Sequence, residues 1–117
     1  MAVTTRIQED RLAGYFEEFT KRFLRDDSPE FATLEVMSPE GGTESSGERL
    51  LGITFDHHKN SLEFELESGD HRIYDPREVW VLEDLDGFVS AVEVVRKDGE
   101  KEVVTVRRTP IERRLKS

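Results

Sequence analysis

RLLGITFDHHKNSLEFELE, Arg49 to Glu67, decides the fold. Two apolar-alternating runs flank a polar knot, the pattern of a β-hairpin. In the first arm Leu51, Ile53 and Phe55 share one parity, and in the second Leu62, Phe64 and Leu66 do. Strand side chains alternate with period two, so each arm is expected to offer one apolar and one polar face. The turn falls near His57 to Asn60.

Downstream, the spacing predicts more of the same. Ser68, Gly69 and Asp70 make a turn and His71 to Tyr74 a short strand, after which Asp75 and Pro76 break the pattern, because proline cannot donate to a ladder. Glu78 to Glu83 is apolar on both parities (Val79, Val81; Trp80, Leu82), as in a central strand covered on both faces. Asp86-Gly87 and Asp98-Gly99 turn the chain into strands Phe88 to Val95 and Glu102 to Arg107. Upstream, Phe31 to Met37 reads as a strand, and Ser38 to Gly47 (SPEGGTESSG) as a mobile loop, small, polar and without periodicity.

Before these comes one helix, about Gln8 to Leu24. Leu12, Tyr15, Phe16, Phe19 and Phe23 recur at spacings of three and four and form one stripe. Thr5 with Gln8 fits a capping box, and Asp26, Asp27, Ser28 and Pro29 stop the helix. A helix of this length is marginal in water alone, so its aromatic stripe must dock on the sheet. The expected class is α+β: one N-terminal helix on a curved antiparallel sheet of six or seven strands, a meander with a barrel as its closed form. Residues 1–117 read as a single domain, with antiparallel strands over about 31–107 and a basic C-terminal tail at 108–117.

Composition narrows the function classes. The chain lacks cysteine, so disulfides and thiolate metal sites are excluded. No leader pattern and no membrane-length apolar window is present, and the cytoplasm is the expected compartment. Acidic residues outnumber basic ones by 26 to 17, a formal charge of −9 that repels polyanions and anionic membranes. From Arg107 onward the balance reverses, with five basic residues and one acidic, which reads as a solvated tail or one resting on the acidic body.

The pattern resembles a family of short bacterial proteins catalogued as a domain of unknown function. The likeness rests on the Tyr15-Phe16 pair, Leu51-Gly52-Ile53 with Phe55-Asp56, Leu62-Glu63, His71, Ile73, Pro76, Val79, Val81, Gly87 and Asp98-Gly99. It covers nearly the whole chain. Leu12 stands where that family is expected to carry tryptophan, and His57-His58-Lys59 replaces a Pro-containing acidic turn. The resemblance implies a fold and a cytoplasmic bacterial origin, and no activity.

The chemistry-bearing residues form no catalytic constellation. His57 and His58 lie at one end of the strand from Ser61 to Glu67 and His71 past the other, about 20 Å away at about 3.3 Å per residue. Zinc ligands must all sit about 2 Å from one ion, so no metal site and no cofactor is expected. Glu63, Glu65 and Glu67 alternate on a strand's polar face, where solvation accounts for them. No serine sits in a strained elbow. Two binding readings remain beside the expected non-catalytic interaction module. Phe55-Asp56-x-His58-x-Asn60 is similar to the first motif of Sm-like RNA-binding barrels, a resemblance that implies base contacts for Asp56, His58 and Asn60. The glycine spacing before Phe55 is too short for that motif, the Arg-Gly pair of its second motif is missing, and the charge opposes phosphate contacts, so nucleic acid is disfavoured. His71, Arg77 and Trp80 around Pro76 could line a small-anion site. An open sheet edge offers a route to homo-oligomers, and no membrane partner is expected.

Overall fold

A computed structural model describes residues 3–25, 30–37 and 43–110. The elements in chain order are β1 (Val3–Ile7), a 3-10 turn (Glu9–Arg11), α1 (Leu12–Phe23), β2 (Glu30–Met37), β3 (Thr43–Asp56), β4 (Ser61–Leu66), β5 (Gly69–Tyr74), β6 (Pro76–Glu83), β7 (Val89–Arg96) and β8 (Lys101–Pro110). All eight strands form one antiparallel sheet in the order β1-β6-β7-β8-β2-β3-β4-β5. One helix on an antiparallel sheet agrees with the expected class, but the sheet has eight strands and does not close into a barrel. It is also two meanders, β2 to β5 and β6 to β8, joined through β8 and β2.

The sheet is strongly curled. β5 and β8 are four places apart, about 19 Å on a flat sheet at about 4.8 Å per strand, yet His71 Nε2 of β5 lies 3.2 Å from Glu102 Oε1 of β8. Inside the curl sit the alternating side chains of each strand: Ala32, Leu34 and Val36 of β2, Leu62, Phe64 and Leu66 of β4, Val79 and Val81 of β6, Val104 and Val106 of β8. Leu12, Phe16 and Phe19 of α1 join them, so the helix is docked through its apolar stripe as its length requires.

Several expectations are corrected. Val3–Ile7 is a strand, paired with β6 through Thr5↔Val81, and Gln8 caps the 3-10 turn with no side-chain hydrogen bond, so Thr5 and Gln8 form no capping box. Four β-branched residues in VTTRI outweigh the capping pattern once β6 offers a partner. In β3 the inward residue is Leu50 (2 % exposed) and not Leu51 (40 % exposed), because a bulge between Leu50 and Gly52 shifts the register and turns Leu51 outward. Thr43 to Gly47 continue β3 opposite β2, where a loop was expected; residues 38–42 of that tract lie outside the described residues, as does the helix stop at 26–29. β5 begins already at Gly69, within the expected turn, and Arg108 to Pro110 of the expected tail extend β8 against β2, while 111–117 lie outside the described residues. β6 lies second from an edge, and only its Val79 and Val81 are buried, with Trp80 and Leu82 half-buried. No helix among the described residues is long and apolar enough to cross a membrane.

Candidate functional site

The helix holds its place through two different contacts. Opposite β3, the Thr20 hydroxyl accepts from Ile53 N–H (3.1 Å) and faces Ile53 C=O (3.3 Å). The described pairing of β3 with β2 stops at Leu50, and Thr20 satisfies backbone groups of β3 beyond that point. Gly52 permits the approach, since a Cβ there would meet Glu65 Oε1 at 2.9 Å and Thr20 Cγ2 at 3.5 Å. Toward β6, the Tyr15 hydroxyl donates to Glu83. Burial, reinforced by that hydrogen bond and the Glu83 carboxylate, pushes the Tyr15 hydroxyl well above its ordinary pKa. The contact ties α1 to β6.

Between these anchors α1 stands off from β1 and leaves a groove of about 830 Å³. One wall is Thr5 to Gln8; the other is the helix, with Arg11, Gly14, Glu18 and Arg22 along it. Among the described residues β1 pairs with β6 only, so its outer edge carries backbone donors and acceptors free of any ladder. Gly14 is exposed, and a Cβ there would meet nothing within 4 Å. Gly14 stands in the first turn of α1 and lines the groove without a side chain, so a larger residue there would project into open space. At the far end Arg22 is held down: its guanidinium lies 4.7 Å above the Phe23 ring and donates to Asp86 C=O at 3.0 Å. Gly87 makes room for it, with φ +93° and only 3.0 Å from its would-be Cβ to Arg22 Nη1. The lining balances Arg6, Arg11 and Arg22 against Asp10, Glu18 and Glu83, a neutral strip on a chain of charge −9.

The residues singled out from sequence lie elsewhere. His71 of β5 packs 6.2 Å from the Phe64 ring centroid and points to Glu102. Arg77 is exposed at the bulge between Pro76 and Glu78, and Trp80 Nε1 donates to Glu78 at 3.0 Å. Among the described residues no hydrogen bond, ion pair or ring contact joins any two of His71, Arg77 and Trp80. Asp56 closes the β3–β4 turn by accepting from His58 N–H (2.9 Å) and Lys59 N–H (3.3 Å); these backbone donors, Lys59 first, hold its carboxyl below the usual range. Asn60 adopts φ +49° and its amide faces Asp75 Oδ1 at 3.4 Å, while His58 is exposed. Among the described residues no group of three or more His, Cys, Asp or Glu is placed to hold a metal ion. The groove was missed because its signal is faint: a glycine inside an amphipathic helix, and a short β-branched run before it.

Comparison with known proteins places this geometry in a lineage without an assigned activity. The chain is 30% identical over 107 residues to an uncharacterized protein of Aquifex aeolicus (strain VF5), covering 89% of this chain and 92% of that one. No solved structure matches. A family model described as a family of unknown function, DUF5335, matches residues 3–113, nearly the full span that the resemblance in the sequence covered, and the chain belongs to that family.

Proposed function

We propose that this protein is a non-catalytic interaction module that takes an extended segment of a partner polypeptide as an added strand along β1. The observation that carries the reading is the groove itself: a strand edge without a partner among the described residues, faced across about 830 Å³ by a helix with Gly14 in its first turn. Strand addition uses main-chain hydrogen bonds for affinity and side-chain pockets for selection. Arg6, Arg11 and Arg22 alternate along the groove with Asp10 and Glu18, which favours a segment of mixed charge over a polyanion or polycation.

A random twelve-residue display library selected against the protein tests it. Selected peptides should bind the wild type and lose at least tenfold in affinity for Gly14→Trp, which fills the groove from an exposed position. N-methylation along the peptide should abolish binding, because it removes the donors that a strand needs. Peptides that bind Gly14→Trp as well as the wild type would refute the reading.

A further inference from the structure

The free edge of β1 is complementary to itself. Of its five residues, VTTRI, only Arg6 is charged, and Val3 leaves 57 % of its surface exposed. A two-fold axis normal to the sheet sets one residue opposite its own copy and keeps every side chain on its original face. Centred on Arg6, such an axis would oppose two guanidiniums, which is repulsive. Centred on Thr4, it leaves Arg6 and Ile7 without partners inside β1. Centred on Thr5, it pairs the whole strand: Val3 faces the partner's Ile7, Thr4 faces the partner's Arg6, and the two copies of Thr5 face each other.

That register is favourable row by row. Ile7 is packed against the core and would cover the exposed Val3 of the other copy with an anchored side chain. Thr5 and Ile7 line the groove, so the apolar and threonine pairs fall on the groove face, where β-branched and Thr–Thr cross-strand pairs are stabilising. The charges agree. From Val3 to Arg11 the chain reads VTTRIQEDR, two arginines against two acids, and it would enter a groove whose lining sets Arg6, Arg11 and Arg22 against Asp10, Glu18 and Glu83. The net charge of −9 therefore has no excess at this face.

We infer that the strand added at β1 is β1 of a second copy of this chain, giving an antiparallel dimer with its two-fold axis at Thr5 and one sheet running through both copies. The inference rests on the reading of β1 as a strand acceptor and names the occupant. Five residues from each copy fall short of the roughly 20–30 a side of a stable interface, so the dimer is weak and concentration-dependent. Sedimentation equilibrium at low salt, up to about 1 mM chain, tests it. The expected result is a reversible monomer–dimer equilibrium that a display-selected peptide competes away. Thr4 is exposed and supplies the decisive variants. Thr4→Glu sets a carboxylate opposite the partner's Arg6 twice per dimer and should tighten association at least fivefold; Thr4→Arg should weaken it at least tenfold. Thr4→Arg with Arg6→Glu restores opposite charges and should restore the dimer. Net charge alone predicts the reverse for the single variants, since Thr4→Glu adds to the −9 and Thr4→Arg reduces it. Melts at micromolar concentration, where the chain is monomeric, should give the same midpoint for both. A dimer that follows net charge, or that ignores both single substitutions, would overturn the inference. A chain that binds selected peptides yet stays monomeric at about 1 mM would overturn it too, and would leave β1 an acceptor for another polypeptide.

Discussion

Phe19 and Tyr15 show how differently two aromatic residues on one stripe are used. Phe19 is 4 % exposed and packs its ring 5.5 Å from Phe88 and 5.4 Å from Phe23. Phe19→Ala should cost about 3–5 kcal/mol by leaving a cavity under the helix, read as a lower midpoint in urea; an unchanged midpoint would mean that the helix is not held through this ring. Tyr15 is tied to Glu83, and its hydroxyl keeps its proton more firmly folded than unfolded. The folded state therefore binds more protons above the unfolded pKa of about 10. Stability from this group is complete below about pH 10 and is lost as pH rises beyond it. Tyr15→Phe should lose about 1 kcal/mol at pH 7 and show a flatter decline in melting temperature above pH 10 than the wild type. The apolar stripe was legible because burial follows a 3.6-residue period. The roles of Tyr15 and Arg22 were not, because each depends on a residue more than 60 positions away in the chain, Glu83 and Asp86.

Among the elements, the strands with unbroken alternation were the readable ones: β2, β4 and β8 bury the residues that one parity picks out. β3 defeated that reading at Leu51, since one extra residue in a bulge reverses the parity before it. β1 was missed because a five-residue strand gains its identity from its partner β6, more than 70 positions later. Candidate site residues fared likewise. Proximity in sequence suggested His71, Arg77 and Trp80 as a group, whereas β5 and β6 belong to opposite halves of the curled sheet. What His71 meets is Glu102, which shares the inward parity of Val104 and Val106 and is buried between His71 and Arg96. This cluster links β5, β7 and β8 across the curl. Glu102→Gln should cost about 3 kcal/mol, the low end for breaking a buried pair because Asp98 still reaches Arg96. Urea unfolding checks this, and a loss below about 0.5 kcal/mol, the usual range for surface changes, would show that the cluster does not hold the curl.

At the scale of the whole molecule, the curl leaves two strands without an outer neighbour in the described sheet, and they are not equivalent. β5 carries Asp70, His71 and Arg72 along a six-residue edge, and charged side chains discourage pairing with another chain. β1 carries a single charge in VTTRI and borders the groove against α1. A formal charge of −9 opposes the close approach of two copies, whereas the lining of the groove beside β1 balances three arginines against three carboxylates. The central claim is that β1 accepts an added strand. Amide hydrogen exchange of residues 3–7, with and without a peptide selected from the display library, tests it most directly. Slowed exchange at alternate amides of β1, those directed away from β6, is the predicted result. Unchanged exchange along Val3–Ile7 at saturating peptide would contradict it.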